Sequence, residues 1–347
     1  MSEAREIVGL WKRATAAGDE VCLATIVAIE GSAYRRPGAR MLLTTSGQRA
    51  GTISGGCLEA EVAKKCWWLT AGGPAIQRYS SFFDDDGEMP WGLGCGGTVV
   101  VLLETGEPAR QSLEALRRSV EDRRASVLVT DLREQSPGTA LILNDAGERV
   151  FSREGAEELA AEAHRALRER RASEGTGFCC EFLAPPPSLT VYGAGDDAQP
   201  LVEFSSALGW HVTVADGRSN LARSERFPSA AAVLRMAGEV PVPAGGAAVL
   251  MTHSYEQDRV ILKALLPLPL DYLGVLGPRR RTARLVSELA PELGLDPEEC
   301  LGHLHAPVGL DLGGHSPVTI ALSIAAELQA VFAGRQPRKP ALRPVHA

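Results

Sequence analysis

Apolar and polar residues follow two different periods along the first half of the chain. Helical spacing predicts helices near residues 3–17, 58–70, 109–124 and 155–171. Short apolar runs between them predict strands: VCLATIVAI from 21, TVVVLLE from 98, ASVLVTDL from 125 and TALILND from 139. MLLTT and RAGTIS, on either side of a Ser46-Gly47 turn, predict a hairpin. We therefore expect an α/β or α+β unit with a largely antiparallel sheet.

From residue 189 the pattern changes to short apolar strands that alternate with amphipathic helices. The predicted strands are LTVYG, HVTVAD, GAAVLMT and DYLGVLG, and the last helix is PVTIALSIAAELQAVFAG. Parallel strands joined by crossover helices are the simplest account of this alternation. A triple proline precedes it and cannot lie inside a helix or a central strand. We predict domains at 1–172 and 189–335, a proline-rich linker at 173–188 and a tail at 336–347.

Charge and hydropathy narrow the class of partner. The 347 residues carry a formal net charge of −7, so there is no strong basic field for nucleic acid. The apolar runs end well short of the roughly 18 residues that a membrane helix needs. The N-terminal segment is charged throughout, unlike a signal peptide. We expect a cytoplasmic protein without a membrane span or a nucleic-acid partner.

Two of the seven cysteines have glycine neighbours. Their odd number and the absence of CxxC spacing argue against a disulfide framework and against a four-thiolate metal site. Cys57 follows Gly55-Gly56 at a predicted helix start, where free amides favour thiolate. Cys95 lies between Gly94 and Gly96, in a loop that a ligand can approach closely. Both are candidate reactive or ligand-binding thiols, and the alternative is that they are small residues filling tight turns.

A basic loop lies upstream of these thiols. In GSAYRRPGARM, Arg35, Arg36 and Arg40 are interleaved with glycine and proline, a composition that suits a phosphate group. GxSxG, Walker and HExxH motifs are missing from the sequence, so the corresponding hydrolase and NTPase functions lack support.

The second half carries a dinucleotide fingerprint. Gly193 and Gly195 follow the strand LTVY directly, and Asp216 ends the next strand, where a ribose hydroxyl acceptor is expected. We include Arg218, two residues further on, among the cofactor-binding residues. Two acidic residues, Asp196 and Asp197, follow Gly195. A Rossmann turn with no bound nucleotide is the alternative.

A further glycine turn precedes another predicted helix. Gly277 leads into Arg279 and two more arginines, which predicts an anion site at the helix start or, alternatively, solvated surface charge. His253 ends a predicted strand at the edge where open α/β sheets bind ligands.

Long motifs throughout the chain resemble the XdhC/CoxI family, the maturation factors of xanthine dehydrogenase and related molybdenum hydroxylases. They are EGSAYRRPGARM, GTISGGCLEAEV and WGLGCGGTVVVLLE in the first half, then GAGDDAQPLV, LGWHVTVADGR, RFPSA, MTHSYEQDR, YLGVLGPRRRT and HAPVGLDLGGHSPVTIALSIAAELQAV. The resemblance implies an α/β XdhC/CoxI domain followed by a Rossmann-like parallel-sheet domain.

The resemblance also implies a function. Proteins of this family bind molybdenum cofactor (molybdopterin), protect it while a cysteine desulfurase supplies its sulfido ligand, and pass it to the apo molybdenum hydroxylase. Cys95 and Cys57 would then lie near the molybdenum or the transferred sulfur, with Cys95 as the metal ligand. The three loop arginines would hold the pterin phosphate.

Alternative functions remain open. The fingerprint that begins at Gly193 also fits an NAD(P)-dependent oxidoreductase, or a site for another nucleotide. A non-catalytic assembly scaffold is a third hypothesis. We expect an accessory chaperone rather than a stand-alone enzyme, and a homodimer, since symmetric pairs are the commonest assembly.

Overall fold

The computed structural model describes residues 3–80, 97–133, 135 and 137–335, apart from the side chain of Cys57. They fall into two compact units, Glu3–Pro186 and 187–335, which are described separately.

The first sheet of the first unit has the order β3-β2-β1-β5-β4 and is antiparallel. Its elements are α1 (Glu3–Ala17), β1 (Val21–Gly31), β2 (Arg40–Thr44), β3 (Arg49–Gly51), α2 (Cys57–Leu69), β4 (Ala75–Ser80) and β5 (Gly97–Thr105). Alternation along β1 buries both faces: Leu23 packs with α1, whereas Cys22 and Ala24 pack with α2. The predicted hairpin is confirmed, with β2 and β3 joined through Gly47.

The second sheet of this unit has the order β8-β7-β6-β10-β9 and is also antiparallel. Its elements are β6 (Ser126–Asp131), β7 (Gly138–Asn144), β8 (Arg149–Ser152), α4 (Ala160–Glu169), β9 (Ser173–Gly175) and β10 (Phe178–Leu183). One face packs against α4, and the other packs against α3 (Gly106–Val120). Because α3 also contacts β1 and β5, it lies between the two sheets and belongs to both cores.

The predicted linker at 173–188 needs correction. Its first part forms β9 and β10, and β10 pairs with β6 along its whole length. The apolar residues of FCCEFL therefore complete a sheet, and only the stretch from Ala184 through the three prolines connects it to the next strand. The prolines limit where β10 ends, as their missing N–H groups require.

A buried carboxyl group joins the two sheets. Glu104, on β5, is 1% exposed and accepts hydrogen bonds from the Thr139 backbone N–H (2.8 Å) and the Ser112 hydroxyl (3.2 Å). Burial raises the pKa of Glu104, since removal from water disfavours the charged form.

The second unit is a doubly wound α/β domain. Its sheet is parallel throughout, with the order β13-β12-β11-β14-β15-β16. Its elements are β11 (Ser188–Tyr192), α5 (Ala198–Ala207), β12 (His211–Asp216), β13 (Ala232–Arg235), β14 (Ala247–Leu250), α6 (Tyr255–Leu265), β15 (Tyr272–Val275), α7 (Arg279–Leu293), α8 (Pro297–His303), β16 (Leu304–His305) and α9 (Pro317–Phe332). Helices α5 and α9 cover one face, and α6 and α7 the other. This confirms the predicted fold class and puts the switch in strand order between β11 and β14.

A buried carboxylate also holds α9 in place. Glu327 is fully buried and accepts hydrogen bonds from the Tyr272 hydroxyl (2.6 Å), His305 Nδ1 (2.9 Å) and the Gly309 backbone N–H (2.7 Å). Three donors meet most of the hydrogen-bonding needs of this buried charge, so α9 is fixed to the sheet edge.

Candidate functional site

The arginine loop leaves the end of β1 and returns as β2. Arg35 pairs with Glu3 of α1. The Arg36 side chain is exposed and makes no hydrogen bond or ion pair within the described residues. Of the predicted phosphate-binding arginines, Arg36 is therefore the one whose charge stays available to an anion.

Arg40 has a different role from the predicted one. It is 7% exposed and forms a two-pronged pair with Glu181 of β10, at 2.9 and 2.5 Å, while also donating to the Gly38 carbonyl. Burial opposes the charge, but Glu181 more than compensates and raises the pKa of Arg40. The structure therefore corrects the assignment of Arg40: it ties β2 to β10 inside the unit.

The loop before α2 is wrapped around a carboxylate that the sequence reasoning missed. Glu59 is 3% exposed; its Oε1 accepts from the Thr52 hydroxyl and the backbone N–H groups of Ile53 (3.1 Å) and Ser54 (2.7 Å). Its Oε2 accepts from the Ser54 hydroxyl and the Gly56 N–H (3.0 Å). Burial would raise the pKa of Glu59, but these donors outweigh it and lower the pKa to about 2. We call residues 52–56 with Glu59 the Glu59 cradle.

The cradle changes the interpretation of Cys57. Amides at the start of α2 were expected to favour a thiolate, yet Ile53, Ser54 and Gly56 already donate to Glu59. An anion at this helix start stabilises the helix and opposes a second negative charge beside it. Glu59 is the third helical residue after the N-cap Gly56, the position from which a glutamate side chain reaches back to the N-cap N–H, and this spacing is the sequence signal that could have revealed the arrangement.

The glycines of the cradle present exposed backbone. Both Gly55 and Gly56 are exposed, and a Cβ at either would meet no atom within 4 Å. Gly56 has φ +120°, a conformation that other residues rarely adopt. A flat ligand can therefore lie against the backbone directly before Cys57.

Gly94, Cys95 and Gly96 lie outside the described residues. The strand that follows them begins at Gly97, which pairs with Gly31, where the arginine loop leaves β1.

In the second unit, the predicted cofactor residues follow strands at one edge of the parallel sheet. Gly193 has φ +120°, and a Cβ there would lie 2.4 Å from the Met251 carbonyl oxygen, so only glycine fits this turn. A Cβ at Gly195 would meet only the side chain of Asp197, at 2.6 Å. The Asp197 carboxylate therefore lies over the surface where a diphosphate was expected.

Asp216 is fully buried and its hydrogen-bonding capacity is used. Oδ1 accepts from the Arg218 N–H (2.7 Å) and Nε (3.0 Å), and Oδ2 accepts from the Ala194 N–H (2.6 Å) and Arg218 Nη2 (2.7 Å). A ribose hydroxyl would have to displace one of these donors. Arg218 Nη1 makes no hydrogen bond in the described structure, so it is the group of this pair that can face a ligand.

The two acidic residues after Gly195 both have basic partners. Asp196 pairs with Arg226 at 2.5 Å, and Arg226 also donates to the Ala194 carbonyl. Asp197 contacts His253 Nε2 at 2.7 Å, which joins the loops after β11 and β14 at the switch point. His253 has φ +59°, unusual for a residue other than glycine. Arg226, in the RFPSA motif, is a site residue that sequence reasoning did not identify.

The arginines that open α7 differ in their surroundings. Gly277 has φ +125°, and Arg281 pairs with the buried Asp258 at 2.6 Å. Arg279 and Arg280 are exposed and form no side-chain hydrogen bond or ion pair in the part of the chain that the structure describes. The predicted anion site therefore keeps two uncompensated charges.

Two negative findings apply to the described ranges. There, no cluster of three His, Cys, Asp or Glu side chains is arranged to hold a metal ion. Nor does any described helix have the length and apolar character needed to cross a bilayer.

Comparison with known proteins agrees with this architecture. Residues 189–328 match the XdhC Rossmann domain, and residues 14–80 match the XdhC and CoxI family. A probable xanthine dehydrogenase subunit of Bacillus subtilis is 31% identical, over 89% of this chain and 92% of its own. The molybdenum cofactor insertion chaperone PaoD of Escherichia coli is 27% identical, over 94% and 88%.

A solved structure extends the likeness to three dimensions. The crystal structure of a xanthine dehydrogenase from Bacillus halodurans superposes with a TM-score of 0.78 at 29% identity, covering 99% of this chain and 98% of that one. Sequence motifs, both family matches and the fold agree: the chain belongs to the XdhC/CoxI family.

Proposed function

We propose that this protein binds molybdenum cofactor, supports its sulfuration and delivers it to a molybdenum hydroxylase of the xanthine dehydrogenase type. The observation that carries the proposal is the likeness to a molybdenum cofactor insertion chaperone over 94% of the chain. The names of the other two relatives connect the family with xanthine dehydrogenase.

The geometry of the first unit supports a cofactor site at the Glu59 cradle. Exposed backbone at Gly55 and Gly56 gives a flat cofactor room to approach. Arg36 offers a free guanidinium for a phosphate. In this proposal Cys95 and Cys57 contact the molybdenum or the transferred sulfur, because soft sulfur ligands suit such a centre. The role of Cys95 rests on its sequence context.

Native mass spectrometry tests the proposal on the full chain, purified without air from a host that synthesises the cofactor. We expect a molybdopterin-sized adduct on the wild type and at least a tenfold lower occupancy in Cys95→Ser. Cys179→Ser is the matched control: burial raises the pKa of Cys179 to about 12, which keeps it a neutral thiol, and it should retain the adduct.

Two outcomes would contradict this proposal. Full occupancy in Cys95→Ser would remove Cys95 from the site. A nicotinamide dinucleotide adduct without molybdopterin would instead favour the oxidoreductase hypothesis.

The partners follow from the same proposal. An apo molybdenum hydroxylase accepts the cofactor and a cysteine desulfurase donates the sulfur. Pull-down with each purified partner checks these contacts, and failure to retain either protein would contradict that part. The protein is proposed to be a homodimer, so light scattering should give twice the chain mass.

A further inference from the structure

A cavity of about 560 Å³ opens at the amino edge of the parallel sheet in the second unit. Its lining residues lie within 266–273, which lead into β15, and within 295–305, which lead through α8 into β16. The predicted nucleotide residues follow their strands, so they lie at the opposite, carboxyl edge. The cavity is therefore separate from the dinucleotide fingerprint.

The apolar part of this cavity is built into the core. It consists of six leucines that belong to, or pack against, the cluster between the sheet and helices α6 and α7: Leu266, Leu268, Leu270, Leu273, Leu295 and Leu304. The loop before β15 is fixed, since the Asp271 N–H donates to the Gly246 carbonyl at 2.9 Å. The cavity is thus formed in advance of any ligand, and its volume lies within the roughly 300–1,000 Å³ typical of small-molecule sites.

The charged part of the lining is acidic. Asp271, Asp296 and Glu299 contribute carboxylates, and the lining, as far as the structure describes it, contains neither lysine nor arginine. Asp296 caps α8 by accepting from the Glu299 N–H at 2.8 Å. The carboxylates of Asp271 and Glu299 form no hydrogen bond or ion pair with the described residues. Two negative charges therefore remain available to a cation.

Cys300 shows that these charges act inside the cavity. It belongs to the lining and is 8% exposed. Burial raises the pKa of its thiol, and the charges of Glu299 and Asp296 raise it further. The surroundings that keep this thiol neutral favour a positive group beside it. Because a neutral thiol is a poor nucleophile, we expect reversible binding rather than a covalent adduct.

His305 adds a fixed acceptor to the same lining. Its Nδ1 donates to the buried Glu327 carboxylate at 2.9 Å, and its ring stacks on Tyr272 with the ring centroids 4.0 Å apart. Because Nδ1 is the donor, Nε2 of the neutral ring is an acceptor. His303, the other histidine of the lining, is exposed. The carboxylates and His305 together favour a ligand that brings N–H donors.

From this arrangement we infer that the cavity binds an organic cation, an ammonium or amidinium group joined to an apolar body. Asp271 and Glu299 hold the charged group through charge-assisted hydrogen bonds, and the leucines contact the apolar body. A phosphate or carboxylate ligand would meet like charges here. The inference goes beyond the proposed function and does not depend on it, because the cofactor proposal uses none of these residues.

Calorimetric titration of the full chain with two matched pairs of probes tests the inference. Benzamidine and benzylamine are cations, whereas benzamide and benzyl alcohol have nearly the same shape without the charge. At least one cation should bind about tenfold or more tighter than its neutral counterpart. The double variant Asp271→Asn, Glu299→Gln should remove that preference. Glu298→Gln is the matched control, since Glu298 is exposed on the same helix but outside the lining, and it should keep the preference.

A steric variant gives a second, independent measurement. Gly302 lines the cavity, and a Cβ there would meet no atom within 4 Å. Gly302→Phe should therefore fill the cavity without disturbing the fold and should abolish binding. Leu301→Phe is its control: Leu301 is 40% exposed on the same helix, outside the lining, and binding should be unchanged. Equal melting temperatures of the two variants show that both are folded.

Four results would overturn the inference. They are no binding of either cation at millimolar concentration, equal affinity for charged and neutral probes, an equal loss of preference in Glu298→Gln and the double variant, and unchanged affinity in Gly302→Phe. None of them bears on the molybdopterin content of the protein. The two proposals can therefore fail separately.

Discussion

Replacing Glu59 by glutamine should remove a pH-dependent part of the stability of the first unit. Folding lowers the pKa of Glu59 from 4.5 to about 2, so the folded state favours the ionised carboxylate. The corresponding stabilisation is complete above pH 5 and is lost as the pH falls towards 2. Each unit of difference between the two pKa values contributes about 1.4 kcal/mol, so the ionised Glu59 stabilises the folded state by about 3 kcal/mol.

Urea denaturation of the wild type and Glu59→Gln between pH 7 and pH 3 measures this effect. Trp67 and Trp68 lie in the last turn of α2, the helix that begins at the Glu59 cradle, so fluorescence reports on the unfolding of this helix. We expect the variant to be about 3 kcal/mol less stable at pH 7, with the difference shrinking as the pH approaches 3. Glutamine keeps the size of the side chain but brings an amide group against backbone donors.

Glu61→Gln provides the control on the same helix. Glu61 pairs with Lys65 one turn away, a contact worth a few tenths of a kcal/mol. The control should therefore lie within about 0.5 kcal/mol of the wild type at every pH. If the wild type and Glu59→Gln lose stability in parallel from pH 7 to pH 3, the cradle does not hold an ionised carboxylate and the reasoning is refuted.

Three further predictions concern other buried groups. Burial raises the pKa of Glu104, so the protonated carboxyl stabilises the folded state at low pH and this stabilisation is lost as the pH rises. Glu104→Gln should therefore gain stability relative to the wild type between pH 5 and pH 8, as measured by urea denaturation. A stability difference that does not change with pH would contradict this prediction. Gly193→Ala should lower the free energy of unfolding by about 3 kcal/mol or more. Gly238→Ala is the control and should cost about 1 kcal/mol, because the φ of Gly238 is also positive but its Cβ would meet open space. Equal losses of melting temperature would show that the contact with the Met251 carbonyl is unimportant. A double-mutant cycle on Arg40→Ala and Glu181→Ala should give a coupling free energy of about 1–3 kcal/mol in stability. The molybdopterin content per folded chain should be unchanged in both variants. Loss of the cofactor from folded Arg40→Ala would show that Arg40 belongs to the binding site.

The fold was largely accessible from hydrophobic periodicity. Strands with continuous apolar runs, such as TVVVLLE, and helices with a clear apolar face came out in the right place. The strand FCCEFL did not, because it is short and ends one residue before three prolines. The prolines correctly indicated that regular structure ends, but it ends only after Leu183. The residues up to Leu183 are extended because they pair with β6.

The candidate site was less accessible, because the sequence does not show which opposite charge each residue will meet. Arg40 has the same loop context as Arg36, yet Glu181, which is 141 positions away, neutralises it. Asp216 fits the fingerprint, yet Arg218 uses its acceptors. The same carboxylate–arginine arrangement occurs after β6, where Asp131 accepts from the N–H, Nε and Nη2 of Arg133. An aspartate that ends a strand, followed two residues later by arginine, is therefore as compatible with loop fixation as with ligand binding.

The pairing of charges in the folded chain narrows the choice of cationic groups for an anionic cargo. Arg35, Arg40, Arg218 and Arg281 each meet a carboxylate within their own unit. Among the arginines that the sequence analysis assigned to anion sites, Arg36, Arg279 and Arg280 are exposed and have no side-chain partner among the described residues. A cation already held by a carboxylate gives up that interaction when it binds a phosphate, whereas an exposed, unpaired one does not. Recognition of a phosphate-bearing cargo should therefore depend on the second set, and stability on the first.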